Sequence, residues 1–164
     1  MKKILSILVL ASLCLLAGPS FAGTKTHRAS QIQFWVPDNW QVEGEDRDQL
    51  QASDPKGEVS LLFMVRDAKD MKAALAAIDD TIAKVATDVK AGTPEKITLN
   101  GMEAVVVDAT GKAEGKPVEL SVLLVKTPAK KYLTVFGVLE ADHKKAHEAN
   151  LTKILQSLQP TKKR

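Results

Sequence analysis

The sequence is nearly devoid of cysteine. Of 164 residues only Cys14 carries a thiol. It lies within the first 22 residues, so the chain that follows can be neither a disulfide scaffold nor a thiol enzyme and must be held together by packing. A lipid-modified cysteine would want a small residue before it, and Leu13 stands there instead. Aromatic side chains are scarce at 4% of the sequence, which makes the two tryptophans, Trp35 and Trp40, conspicuous. A strong charge of one sign is also missing. Without the first 22 residues, which carry Lys2 and Lys3, the formal net charge falls from +3 to +1, and a near-neutral protein has no electrostatic pull toward nucleic acid or an acidic membrane surface. The sequence contains no nucleophile elbow, phosphate loop, dinucleotide fingerprint or zincin pattern, and it shows no internal repeat, low-complexity linker or second domain.

What is present begins with a leader. Lys2 and Lys3 are followed by the apolar stretch from Ile4 to Leu16, then Gly18-Pro19, then Ser20-Phe21-Ala22 with small residues three and one before a cleavage point. This is the pattern of a secretory signal peptide, and the apolar run is short for a membrane span. The expected organisation is a signal peptide at 1–22, a flexible leader at 23–30, one domain at 31–160 and a basic tail at 161–164, with no transmembrane segment after cleavage. The expected location is outside the cytoplasm, in the periplasm of a Gram-negative bacterium.

Within the domain, Gln31 to Val36 alternates, with Ile32, Phe34 and Val36 on one face. Pro37-Asp38-Asn39 turns the chain into a short extended piece from Trp40, and Leu50 to Ser53 is extended as well. Asp54-Pro55-Lys56-Gly57 turns into Val59 to Val65, a strand apolar on both faces and therefore expected in mid-sheet. From Asp67 to Lys90 the period lengthens: Met71, Leu75, Ile78, Ile82, Val85 and Val89 form one stripe, predicting a long helix. A four-stranded meander follows from Glu95 to Glu140, with an Asn100-Gly101 hairpin, a turn over Gly111 to Pro117, and another at Thr127-Pro128-Ala129. A second helix from Asp142 turns Leu151, Ile154, Leu155 and Leu158 inward and stops at Pro160. Strands with two apolar faces need cover on both, so the helices are expected on opposite sides of one antiparallel sheet.

The Pro-x-x-Trp turn at Pro37 to Trp40, the Asp-Pro turn into an apolar strand, the long helix, the Asn100-Gly101-Met102-Glu103-Ala104 hairpin and the Ile-Leu-x-Ser-Leu end at Ile154 to Leu158, taken in order, resemble the PsbP/Mog1-like superfamily. The resemblance implies an α+β fold: an α/β/α sandwich with a central antiparallel sheet of about six to seven strands, one long helix between the third and fourth, and a C-terminal helix. It also implies a largely non-enzymatic role, since its members include photosystem II extrinsic subunits, a regulator of a nuclear transport GTPase and bacterial envelope proteins.

Few residues suggest chemistry. His143 and His147 are one helical turn apart, a spacing that can place two imidazoles on one metal ion, although the sequence offers no third ligand and the pair can equally edge the buried stripe. Glu43, Glu45, Asp46 and Asp48 could hold a hard cation but lack the grammar of a calcium loop and contain Arg47. Asp79 and Asp80 point different ways around a helix, and His27 lies in the leader. Trp35 lies opposite Ile32, Phe34 and Val36 and is, with Trp40, a candidate protein-binding anchor, set against packing of both into the sandwich. The expectation is a cofactor-free, non-enzymatic domain that binds or helps assemble another envelope protein. A small-ligand or metal-ion-binding protein is the alternative, and a hydrolase the third reading.

Overall fold

The computed structural model describes residues 23–45 and 47–161; the leader at 1–22 and most of the basic tail lie outside them. The chain opens with β1 (Thr24–His27), a short 3-10 turn (Arg28–Ser30) and β2 (Ile32–Trp35). β1 pairs antiparallel with β2 from Thr24↔Trp35 to His27↔Ile32. Residues 23–30, expected as a flexible leader, are therefore part of the fold, and His27 is fully buried. The described fold starts before Gln31: β1 occupies one edge of β2, and the two residues of β11 (Gln159–Pro160) pair with the other.

Beyond this three-stranded sheet lies the main one. It contains β3 (Gln41–Glu43), β4 (Gln49–Ser53), β5 (Val59–Arg66), β10 (Tyr132–Glu140), β9 (Lys116–Lys126), β8 (Met102–Ala113) and β6 (Thr87–Ala91) in that order, with β7 (Glu95–Leu99) also on β8. Eight antiparallel strands replace the expected six to seven. β5 sits between β4 and β10, as its two apolar faces require. The Asn100-Gly101 turn has positive φ at both residues, 48° and 82°, as a two-residue hairpin of this hand demands. The turn expected over Gly111 to Pro117 is tighter than that. Glu114 and Gly115 alone turn the chain, at φ 49° and 81°, which lets β8 and β9 run for twelve and eleven residues.

The long helix expected from Asp67 to Lys90 is the main correction. It is two short helices, α1 (Met71–Ala76), capped by Asp70 Oδ1 accepting from the Ala73 N–H at 2.7 Å, and α2 (Asp79–Val85), followed by the strand β6. The physical reason is the length of β8. β7 pairs only Met102 to Val106, and the backbone from Ala109 to Lys112 finds its partners in β6. The apolar stripe is real as far as Ile82; Val85 is exposed, and Val89 joins the core from a strand. Close approach of β6 is why residue 111 is glycine: a Cβ there would stand 3.0 Å from the Thr87 carbonyl oxygen.

Strand alternation divides the core in two. Leu61, Phe63, Leu123 and Val135 pack with Ile32 and Phe34 of β2 and with Ile154 of α3 (Lys144–Gln156) and the adjoining Leu158. Phe34 and Phe63 stack with ring centroids 4.3 Å apart and 18° between planes, joining the small sheet to the large one. Met64, Val122 and Phe136, on the other face, pack with Ile78 and Ile82, while Leu124 and Tyr132 meet Ala74.

Candidate functional site

The β4–β5 turn is built by one carboxylate. Asp54 Oδ1 accepts from the Val59 N–H at 2.7 Å and Oδ2 from the Lys56 N–H at 3.0 Å, and Gly57 closes the turn at φ 72°. Burial opposes the charge on Asp54, but those amide bonds and the nearby His147 outweigh it and hold the carboxyl below its ordinary value. This fixed turn presents Glu58 at the start of β5. On the facing side the chain leaves β10, makes a 3-10 turn at Ala141–His143 and enters α3, so that His143 stands at the helix start and His147 one turn on.

Glu58 meets both. Its Oε2 lies 2.8 Å from His147 Nε2 and 3.3 Å from His143 Nδ1. One donor atom from each of the three residues falls within 4.8 Å of the others. The bond from His147 lowers the Glu58 carboxyl below its usual range against partial burial, with His143 and Lys56 adding to it. His147 is largely covered, whereas His143 is about a third exposed as a side chain. Yet His143 Nδ1 itself is shielded from solvent and makes no hydrogen bond. The structure thus brings the two sequence-predicted histidines together and supplies the third group that their spacing could not reveal. Glu58 follows a turn far away in sequence, and no local pattern ties it to α3.

Two clefts flank this end of the molecule. One of about 630 Å³ lies between α3 and strands β8 to β10, with an apolar floor that includes Leu123, Val135, Leu151 and Leu155 and a charged rim. Lys144 Nζ crosses its edge to Glu119 Oε2 at 2.9 Å; that contact raises the lysine pKa. The other, of about 690 Å³, lies by α2 and the β8–β9 hairpin and is more polar, with Glu58, Ser60 and Lys112 on its wall.

The remaining candidates scatter. Trp40 is buried in the main core. Trp35 is half-buried, with the Lys153 ammonium 3.6 Å from its ring centroid, a cation–π contact from α3. Glu45 pairs with Lys25 at 3.3 Å, Glu43 lies exposed on β3, and Asp46 is outside the described residues. Asp79 and Asp80 occupy the first turn of α2, where a helix favours negative charge. A serine–histidine contact occurs between Ser30 Oγ and His27 Nδ1 at 3.1 Å, but both residues are fully buried. His27 Nε2 lies 2.8 Å from the Arg47 carbonyl oxygen, and burial pulls its pKa down despite that bond and Asp48.

No protein-family model and no curated protein matches the sequence. Solved structures do match in fold. Cyanobacterial PsbP (CyanoP) from Synechocystis sp. PCC 6803 superposes with a TM-score of 0.63 at 11% identity, covering 90% of this chain and 98% of that one. LpqN of Mycobacterium tuberculosis, involved in cell envelope biogenesis, gives a TM-score of 0.58 at 14% identity over 79% of this chain and 83% of its own. The Saccharomyces cerevisiae Ran-binding protein Mog1p gives 0.54 at 12% identity over 84% and 94%. The chain has a PsbP/Mog1-like fold.

Proposed function

We propose that this chain is an exported, non-enzymatic domain of the bacterial cell envelope that works by binding another envelope protein or assisting its assembly. One observation carries the reading: the likeness in fold spans 94% of a protein described as Ran-binding and 83% of one described as involved in cell envelope biogenesis. The leader pattern from Lys2 to Ala22 supports export to the periplasm. Trp35 is the anchor for the partner, because its ring is held in place by Lys153 while part of it stays open; Trp40 serves the core instead. The test is affinity capture from crosslinked envelope extract, with Trp35→Ala run alongside. One envelope protein is expected to be enriched and to be lost with the folded variant. Capture of nothing specific, together with unchanged envelope proteins in cells lacking the chain, would sink the reading.

The apolar-floored cleft beside α3 supports a second reading. Its volume of about 630 Å³ falls in the range of small-molecule sites, roughly 300–1,000 Å³, so a small apolar ligand would fit. Native mass spectrometry of the protein from its own compartment would show a persistent added mass; a clean apo mass would remove this reading.

A further inference from the structure

We propose that Glu58, His143 and His147 form a binding site for a divalent first-row transition ion, zinc being the ion the donor set suits, with a fourth position left to water. The donors decide the class. Two imidazole nitrogens and one carboxylate oxygen match zinc and its neighbours rather than calcium or magnesium, which take oxygen ligands almost exclusively.

The distances fit. With metal–ligand bonds of about 2.0–2.1 Å in a tetrahedral site, neighbouring donor atoms stand roughly 3.3 Å apart. Glu58 Oε2 is already 3.3 Å from His143 Nδ1 and 2.8 Å from His147 Nε2, and no pair in the trio exceeds 4.8 Å. Small rotations of the two imidazoles would complete the geometry. A plain hydrogen-bonded clasp would account for His147, whose Nε2 already meets the carboxylate. It accounts less well for His143, whose Nδ1 is sealed from water and stands 3.3 Å from the same carboxylate oxygen without making a hydrogen bond, so a buried polar nitrogen is left unsatisfied there. An ion at the centre of the trio would give that nitrogen a partner.

The site is also built in advance. Asp54 fixes the turn that aims Glu58 through two backbone bonds, and α3 fixes the spacing of the histidines. The ion would need the lone pairs of His147 Nε2 and His143 Nδ1, so any proton on either nitrogen would pass to solvent or to the other nitrogen of its ring as the ion binds; no other bond in the protein changes. An ion there would tie the β4–β5 turn to the start of α3.

The experiment is titration of zinc ion into the full chain with its native N-terminus, stripped of metal by chelator, followed by calorimetry and thermal melting. Cobalt(II) is added separately as a visible-spectrum probe. One equivalent is expected to bind, to raise the melting midpoint and, for cobalt, to give the visible bands of a low-coordinate nitrogen and oxygen site. Glu58→Gln and His143→Ala are each expected to weaken binding at least about tenfold, and His143, partly exposed, can be truncated without loss of the fold. His27→Gln should bind as the unaltered chain does. Absence of saturable binding at one equivalent, or equal affinity in the folded His143→Ala and Glu58→Gln variants, would overturn the proposal.

Discussion

The side-chain amide of Asn100 donates two hydrogen bonds, to the carbonyl oxygens of Leu158 and Gln156, both at 2.8 Å. A turn residue thereby closes the end of a helix on the other side of the sequence. The last carbonyls of a helix have no partner within it, and here the hairpin supplies one. Asn100→Ala removes both bonds and places alanine at φ 48°, so it should destabilise the fold by about 2–3 kcal/mol. Asn100→Gly keeps the backbone freedom and should lose only about 1–2 kcal/mol. Denaturant midpoints of the two variants, compared at equal slope, check this.

The β6 segment gives a second prediction. Gly111→Ala sets a methyl 3.0 Å from the Thr87 carbonyl oxygen and 3.3 Å from Val89 Cγ2, which should cost about 1–3 kcal/mol as the strand is pushed off β8. Were residues 87–91 helical in solution and not paired with β8, the methyl would meet no close neighbour there and the substitution would be neutral or mildly stabilising, since glycine inside a strand is entropically unfavourable.

His27 makes stability depend on pH. Its ordinary value is near 6.5, and burial lowers it in the fold, so the folded protein holds the imidazole neutral where the unfolded chain protonates it. Stability is then greatest above about pH 6.5 and falls as pH drops from there toward the lowered folded value, below which the effect saturates. The expected signature is a slope of one proton in this window that disappears in His27→Gln. If the two proteins had parallel pH profiles, the burial argument would fail.

The stacked phenylalanines join the two sheets. Phe34 is fully buried against Phe63, and Phe34→Ala should cost about 3–5 kcal/mol. Phe34→Leu should cost about 1.5 kcal/mol or less; chemical denaturation distinguishes them.

What could be read from the sequence was what neighbours in the chain decide. The Asn100-Gly101 turn follows from two residues that accept positive φ, and the placing of β5 in mid-sheet follows from Leu61, Phe63, Leu62 and Met64 filling opposite faces. The expected helix from Asp67 to Lys90 exceeds the observed ones because Val85 and Val89 continue a helical period that the chain abandons. The deciding fact, the unpaired far half of β8, lies outside any local window. Glu58 escaped for the same reason. A ligand set shared between a turn and a distant helix has no spacing to detect, and the two histidines by themselves look like the edge of a core. The place of His27 in the fold is invisible in the sequence because one buried imidazole bonded to a distant carbonyl leaves no periodic trace.

The place of the last strand has a consequence for the order of events during biosynthesis. β2 is hydrogen-bonded on one edge to the first described segment and on the other to Gln159–Pro160, with the Thr161 N–H closing onto the Gln31 carbonyl oxygen at 2.9 Å. Contacts between residues so far apart in sequence form late, once both segments are available. A nascent polypeptide whose residues 157–161 are still inside a ribosome or a translocation pore lacks the piece that completes this sheet and the helix end that Asn100 receives. The sheet stays open until those residues emerge, and deleting Gln159–Thr161 should leave a chain that collapses but does not set.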